Sequence, residues 1–312
     1  MKYTQNTINI LTALQYKGIG AGWIVSKWEK GITDKNIVCL LNQSLKGIFT
    51  TENEFNAIRQ VVLQKLNMQA EWMDGIVGWL DEDFPFCRGV LRKSDYPVSL
   101  FYKGNISLLK STYRNVAVIG VLKPEESIIN REKIMVSTLL RHDYVIVSGL
   151  ALGCDSIAHI QTLEECGKTI AVLPSTLQNI LPSQHKQLAE QIVKKGGLLV
   201  TEYLDEPMSQ LEMRGRYQKR DRLQAMFSDA IILTASYDIN TDGNDSGSRL
   251  AMEYARQYNI ARYVMYNEVT DSSNPQFALN QKILRDGNAQ ILTQQKIPHL
   301  IQSRNSQQLA LF

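Results

Sequence analysis

Five basic side chains lie within nine consecutive positions, and this cluster is the part of the sequence best suited to binding chemistry. Residues 214–222 read RGRYQKRDR and include Tyr217. Guanidinium and ammonium groups pair with phosphates, and an aromatic ring stacks on an unpaired base, so the cluster favours single-stranded nucleic acid as a ligand. The alternative is a solvated loop without a ligand. The basic members are Arg214, Arg216, Lys219, Arg220 and Arg222.

A glycine-rich segment follows an apolar run and reads SGLALGCDSIAH from Ser148 onward. Gly149 and Gly153 permit a sharp turn that exposes backbone N–H groups at a helix start, which is an anion-binding arrangement. Asp155 is expected to cap that helix. His159 lies four residues later on the same helix face. A metal pair is one interpretation, but two ligands are too few for a site, and we expect a packed histidine instead.

Two further turns in the same region carry groups suited to phosphate. Gly120 directly follows an apolar run, where α/β folds approach a phosphate, and Lys123 lies three residues on. No G-x-G-x-x-G pattern follows, so a tight turn is the alternative and no dinucleotide site is expected. The triplet Ser246, Gly247 and Ser248 precedes a helical run whose free N–H groups suit a phosphate, and a plain helix cap is the alternative.

Elements of a parallel sheet must position these groups. Six short apolar runs alternate with amphipathic stretches long enough for crossover helices. Continuous apolar runs indicate strands that are buried on both faces. The sequence therefore predicts a doubly wound, Rossmann-like α/β fold with a mostly parallel sheet. The runs are 116–119, 144–147, 169–173, 197–200, 230–233 and 262–265.

Four segments differ in character along the chain. Residues 1–85 show apolar positions at helical spacing and predict a small helical domain. Residues 86–114 are rich in aromatics and turn formers and predict a connector. Residues 115–292 contain the predicted sheet, and residues 293–312 are polar and Gln-rich, which predicts a flexible tail.

Composition limits the class of protein. The chain has 312 residues, of which 44% are hydrophobic and 21% charged, so it is long enough for a full core. The net charge of +3 is too small to imply nucleic acid by itself. The four cysteines are widely spaced and show no C-x-x-C pair, which favours free thiols and suggests neither a disulfide framework nor a zinc site. No apolar run reaches membrane-spanning length, so we expect a cytoplasmic protein. The motifs also lead us to expect no metal and no cofactor.

Taken together in order, these motifs resemble the DNA-processing protein A family (DprA, also called Smf). The carriers are SGLALGCDSIAH, TIAVLPSTLQNILPSQHKQLAEQI, LLVTEY, RYQKRDRLQAMFSDAIILTA and the triplet SGS, preceded by DYPVSLFYKG. The resemblance covers roughly residues 95–292. It implies a Rossmann-like fold, homodimers, binding of single-stranded DNA and loading of RecA onto that DNA in recombination or natural transformation. It implies no catalysis.

Matching positions and departures both follow from this resemblance. Arg220 and Arg222 correspond to the two arginines of the family's RNR motif, with Asp221 in place of its Asn. Leu122 stands where the family usually has an arginine that is expected to contact phosphate, and Lys123 is the candidate substitute. We expect a member without the winged-helix domain that is often found after this fold. We therefore expect a divergent member, with a role in transformation, chromosomal repair or phage defence.

A turn in the N-terminal region is similar to a helix-hairpin-helix element, and we expect the small helical domain there to be of the helix-hairpin-helix or sterile-alpha-motif (SAM) kind. The residues are Gly18, Ile19 and Gly20, followed by an apolar stretch. Backbone N–H groups in such a turn can hold one phosphate without reading sequence. The alternative is a helical turn inside a packing domain.

Residues 308–312 read QLALF and look like the short motif by which bacterial replication and repair proteins bind the DNA sliding clamp. Gln308 would hydrogen-bond at a pocket rim, while Leu309, Leu311 and Phe312 would fill apolar clefts on an extended peptide. The alternative is a segment that packs on its own domain.

Three classes of function remain open on the sequence alone. The first is a non-enzymatic single-stranded DNA binder. The second is a nucleotide phosphoribohydrolase-like enzyme, favoured by the Ser-Gly-Ser triplet and Glu253 but lacking a Gly-rich PGG loop. The third is an interaction protein that neutralises a partner, such as a toxin, and binds the clamp through residues 308–312.

Overall fold

The computed structural model describes residues 1–45, 47, 49–239, 247–287 and 289–300. In these residues nine strands form one sheet: β1 (Gly75–Gly78), β2 (Ser99–Gly104), β3 (Arg114–Ile119), β4 (Tyr144–Ser148), β5 (Thr169–Val172), β6 (Leu198–Thr201), β7 (Ala230–Leu233), β8 (Ala261–Val264) and β9 (Gln290–Ile291). Their order across the sheet is β1-β2-β6-β5-β4-β3-β7-β8-β9.

The six apolar runs form strands β3 to β8, which pair in parallel and confirm the predicted fold class, and the short strand β9 also pairs in parallel with β8. Strands β3 to β6 are added in one direction, and β7 and β8 on the other side of β3. The strand order therefore reverses at β3, between β4 and β7. In open α/β sheets such a reversal opens a crevice beyond the carboxyl ends of the strands.

Helices cover both faces of the sheet. Helices α8, α9 and α11 contribute to the core on one face, while α1, α4, α5, α6 and α7 contribute to the cores on the other. The helices of the described residues are α1 (Gln5–Ala13), α2 (Ala21–Lys27), α3 (Asp34–Ser44), α4 (Glu52–Met68), α5 (Glu126–Arg141), α6 (Cys154–Glu164), α7 (Lys186–Lys194), α8 (Gln210–Met226), α9 (Gly247–Gln257), α10 (Glu268–Asp271) and α11 (Ala278–Arg285).

Strands β1 and β2 extend the sheet into the segments that the sequence assigned to a helical domain and a connector. Strand β2 pairs antiparallel with β1 on one side and with β6 on the other. Strand β1 is short and has glycine at both ends, so its pattern carries little strand signal. Gly75 is needed for the close pairing, because a Cβ there would lie 2.5 Å from the Tyr102 hydroxyl.

The N-terminal helices share a core with the sheet. Leu11 of α1 and Val62 of α4 belong to the same cluster of buried residues as Phe101 of β2 and Leu199 of β6. Helices α2 and α3 contribute mainly to a neighbouring cluster. The helical character of this region is observed, while the boundary at residue 85 stays a prediction, because the core continues across it.

The start of the expected tail packs on the body of the molecule. Residues Gln294–His299 form a 3-10 helix, in which Ile297 is buried together with residues of α5. Backbone carbonyls of this segment accept hydrogen bonds from Tyr144 and Arg114. The flexibility expected from residue 293 onward is therefore not seen up to residue 300.

Two expectations about membrane spans and cysteines can be compared with the described residues. No described helix combines the length and the apolar character that a membrane span requires. All four cysteines are free, and Cys154 is fully buried.

A buried ion pair joins the predicted connector to the turn between α8 and β7. Arg88 Nε lies 2.9 Å from Asp229 Oδ1, and both side chains are less than a tenth exposed. Arg88 also donates to the carbonyls of Phe227 and Tyr113, while Asp229 accepts from the backbone N–H of Asn115. The pair therefore fixes the chain before β3 against the chain before β7.

We expect Arg88→Ala to lower the free energy of unfolding by about 3–5 kcal/mol, because Asp229 would keep its charge in a buried place without its partner. Urea denaturation measures the effect. Arg92→Ala is the matched control, since Arg92 pairs with Asp95 but is 72% exposed, and its loss should have little effect. Equal losses in the two variants would contradict the structural role of the buried pair.

Candidate functional site

The segments that follow the parallel strands meet at one edge of the sheet. These are the segments after β3, β4, β5, β6 and β7, and the first half of α8 lies beside them. The described residues predicted to bind DNA in the α/β region lie on these segments, on helices that begin there or, for Ser148, at the end of β4. We call this region the carboxyl edge.

The turn between β4 and α6 is held from within the protein. The Asp155 carboxylate accepts from the Gly149 backbone N–H at 3.1 Å and lies 3.5 Å from Arg220 Nη1. Gly153 has a φ of +72° and immediately precedes the helix, which has no side-chain cap. Asp155 therefore binds the preceding turn instead of capping α6, and an internal carboxylate occupies the Gly149 N–H that was predicted to face a phosphate.

The Arg220 guanidinium packs directly against the backbone of Gly149. A Cβ at position 149 would lie 1.2 Å from Arg220 Nη1, so only glycine fits beside this guanidinium. Arg220 Nε also lies 3.1 Å from Asp221 Oδ1, and its guanidinium carbon lies 5.7 Å from the centre of the Tyr217 ring. The contact connects two of the motifs, which are far apart in the sequence.

The basic cluster lies in helix α8, not in a loop, and it divides between two faces. The structure buries Arg216, Arg220 and Arg222. It leaves Arg214, Tyr217 and Lys219 exposed. Ser209 caps the start of the helix, because its hydroxyl accepts from the Glu212 N–H, and the Glu212 carboxylate accepts from the Met208 N–H.

The buried arginine Arg222 has a carboxylate partner. It donates two hydrogen bonds of 2.7 Å to the oxygens of Glu202, which directly follows β6. Burial alone would lower the pKa of Arg222, but the charge and hydrogen bonds of Glu202 raise this pKa above its ordinary value. Sequence reasoning missed Glu202, although its place directly after an apolar strand was a usable signal.

Arg216 is paired in a similar way. It donates to Glu212 Oε1 and, at 2.7 Å, to the backbone carbonyl of Asp205. Its guanidinium stacks on the Tyr203 ring, with 4.2 Å between the guanidinium carbon and the ring centre. The structure thus gives each of the three buried arginines an internal partner.

The turn after β3 lies against the start of α9. Gly120 is tightly enclosed, because a Cβ there would lie 2.6 Å from Cys154 Sγ. The Ser248 hydroxyl donates to the Gly120 carbonyl at 3.3 Å. Gly247 begins α9, and Ser246 lies outside the described residues.

Lys123 and Leu122 are exposed in the segment after β3. Sequence reasoning also missed Gln276, whose side-chain amide donates to the Lys123 carbonyl and to the Tyr237 hydroxyl at 3.0 Å. No spacing rule connects Gln276 to this segment, because more than 150 residues separate them. The contact fixes the backbone at Lys123 and leaves its ammonium group at the surface.

Ser148 and His159 lie inside the fold. The Ser148 hydroxyl donates to the Val118 carbonyl at 2.7 Å, and His159 Nδ1 lies 2.7 Å from Thr169 Oγ1. Burial, together with the nearby charges of His185 and Arg220, lowers the pKa of His159 to about 3. Asp155 and His159 therefore have separate partners, and no group of three or more metal-ligating side chains is found in the part of the chain that the structure describes.

Two further predictions, at the N-terminal turn and at residues 308–312, are not decided by the described residues. Ile19 is buried between exposed Gly18 and Gly20, and α2 begins directly afterwards without a side-chain cap. Phosphate contact at this turn stays a prediction. Gln308, Leu309, Leu311 and Phe312 lie outside the described residues.

We expect His159 to make the protein less stable in acid. Its folded pKa lies below the unfolded value, so its contribution is complete above pH 6.5 and is lost as the pH falls toward 3. Between these values the wild type should lose about 1.4 kcal/mol per pH unit more than His159→Gln, which cannot titrate. Urea denaturation from pH 7 to 4 measures this, with the exposed His299→Gln as control. Parallel curves for wild type and His159→Gln would contradict the expectation.

Comparison with known proteins identifies a family model and relatives that match this chain. A family model described as DNA recombination-mediator protein A matches residues 75–302. The Smf protein of Borreliella burgdorferi is 34% identical over 143 residues, which are 45% of this chain and 43% of that protein. The chain thus spans less than half the length of the curated relatives it matches.

Two solved structures are similar. The DNA processing protein A of Streptococcus pneumoniae matches with a TM-score of 0.70 at 24% identity, covering 95% of this chain and 98% of that one, which shows a shared fold. A structure on the single-stranded DNA binding mode of DNA processing protein A from Helicobacter pylori matches with a TM-score of 0.58 at 26% identity, covering 70% and 92%. The family model covers more than two thirds of the chain, and the chain therefore belongs to the DNA recombination-mediator protein A family, also known as DprA or Smf.

Proposed function

We propose that this protein binds single-stranded DNA at the carboxyl edge, as a recombination mediator without catalytic activity. The observation that carries the proposal is the exposed face of α8. There Tyr217 lies between the basic residues Arg214 and Lys219, next to the Gly149 turn that Arg220 contacts. An exposed ring beside cations suits a strand whose bases are unpaired.

The chemistry of this face favours a single strand over a duplex. A ring can stack only on a base that is not already covered by its neighbours, and the cations pair with the backbone in any sequence. Lys123 after β3 and Lys186 at the start of α7 add exposed positive charge at the same edge. The relative from Helicobacter pylori, described for single-stranded DNA binding, supports this ligand class.

The predicted DNA-binding residues then divide into two roles. Arg214, Lys219 and Lys123 contact phosphate directly, and Gly247 and Ser246 are candidates at the start of α9. The buried residues Arg216, Arg220 and Arg222 support the surface through their carboxylate partners. The turn residues Gly120, Ser148, Gly149, Gly153 and Ser248 fix the backbone beneath it.

A mediator role also implies protein partners. We propose that a second copy of this chain and a RecA-type recombinase are partners, as the family resemblance implies. For the pathway, we propose transformation, repair, or phage defence with a toxin partner.

We expect Tyr217→Ala to weaken binding of a labelled thymidine oligomer by about 5- to 100-fold, because one base loses its stacking partner. The double variant Arg214→Ala/Lys219→Ala should lower the slope of log affinity against log salt by about 1.4, or 0.7 per lost phosphate contact. Fluorescence anisotropy across a salt series measures both effects.

The matched control for charge is Lys133→Ala/Arg141→Ala, which removes two exposed cations from α5. It should leave the salt slope unchanged. An equal change in both double variants would point to net charge alone, and undiminished binding by Tyr217→Ala would remove the stacking contact from the proposal.

We further propose that residues 308–312 bind the DNA sliding clamp. The sequence QLALF supports this, since it offers one amide and three apolar anchors in a short segment.

We expect Gln308→Ala and the double variant Leu311→Ala/Phe312→Ala to abolish retention of the protein on immobilised clamp. The matched control is Gln307→Ala, which changes the adjacent glutamine outside the motif. Retention of all variants alike would show that the clamp is bound elsewhere or not at all.

A further inference from the structure

A pocket lies where the N-terminal helices meet the carboxyl edge. We call it the junction pocket, and its volume is about 220 Å³. Its walls come from α1, α4, the start of β2, the segment after β6 and one residue of α8. It therefore lies at the edge of the sheet where α/β proteins collect their ligands, but outside the crevice between β4 and β7.

One wall of the junction pocket is apolar. Leu11 of α1, Leu14 directly after α1, Val62 of α4 and Phe101 of β2 line it. Leu11, Val62 and Phe101 are buried in the core that joins these helices to the sheet. The wall is thus formed by rigid elements and suits the flat face of an apolar ring.

The opposite wall is polar and already balanced in charge. Arg216 stacks on Tyr203 and bonds to Glu212, while Glu202 is paired with Arg222. At the rim, Lys65 Nζ lies 3.1 Å from Asp205 Oδ2. Because each charged lining group has an ion-pair partner and two of the four are carboxylates, a neutral ligand fits this wall better than a phosphate does.

The rim also carries neutral hydrogen-bonding groups. The Gln15 side chain is exposed at the end of α1, and Ser99 lies at the start of β2. An amide offers both donors and acceptors, and a hydroxyl can serve as either. A neutral planar ring with donors and acceptors on its edge matches an apolar wall on one side and these groups on the other.

The junction pocket adjoins the proposed DNA-binding face of α8. Arg216 lines the pocket, and Tyr217, the next residue, lies on the exposed face. A strand held by Arg214, Tyr217 and Lys219 therefore passes the mouth of the pocket. Beyond the pocket, α1 leads from Gln15 into the turn Gly18-Ile19-Gly20, for which a phosphate contact is predicted.

We propose that the junction pocket binds one nucleobase of a single DNA strand held on α8. The inference rests on the proposed function and names a second, separate contact for the strand. The base inserts its ring between the apolar wall and the Arg216 side, while its sugar and phosphate stay outside near Lys65. The pocket thereby adds affinity for unpaired bases without adding charge.

The test compares a thymidine oligomer with a fully abasic oligomer of equal length. Leu14→Phe fills the pocket from a half-buried position, and Val61→Phe is the matched control because Val61 is exposed on the same helix as Val62. We expect Leu14→Phe to bind the thymidine oligomer about 5- to 100-fold more weakly and the abasic oligomer as the wild type does. Val61→Phe should match the wild type on both.

Unchanged binding of the thymidine oligomer by Leu14→Phe would overturn the pocket contact, and so would equal weakening on both oligomers. A wild type that binds neither oligomer would instead defeat the proposed function, whereas equal binding of both oligomers would overturn the pocket contact. A measurement on the wild type covers the case in which Leu14→Phe is poorly folded. Methyl resonances of Leu11 and Leu14 should shift with the thymidine oligomer and not with the abasic one, and equal shifts with both would again overturn the inference.

Discussion

The carboxyl edge depends on the placement of one buried guanidinium. Arg220 lies against Gly149, Asp155 and Asp221, and a charged group there is stable only because carboxylates compensate for the lost water. The same Asp155 carboxylate holds the Gly149 N–H, so the turn after β4 and the middle of α8 are fixed to each other. The Tyr217 ring, one turn earlier on α8, takes its position from this anchor.

Helix α8 illustrates how one charged segment serves two purposes. Its inward arginines are paired with Glu202, Glu212, Asp155 and Asp221, and such pairs contribute more to geometry than to net stability. Its outward residues, Arg214, Tyr217 and Lys219, remain open to solvent and to a ligand. A basic cluster in a sequence is therefore not equivalent to a basic surface.

The antiparallel strands β1 and β2 explain how the N-terminal helices take part in the carboxyl edge. Strand β2 pairs with β6 and runs in the opposite direction, so that its first residue, Ser99, lies where β6 ends. Helices α1 and α4 pack on this added part of the sheet and close the junction pocket. The family match begins at residue 75, the first residue of β1, so the two strands belong to the shared unit.

The sequence by itself determined the α/β class, the six parallel strands and the family, because apolar runs and ordered motifs are local signals. It also predicted the glycine turn that precedes α6. It did not distinguish buried from exposed arginines, since that depends on carboxylates such as Glu202 and Asp155, which come close only on folding. Only the tertiary structure decided which cations face solvent and that a pocket exists beside them, because both follow from contacts between distant segments.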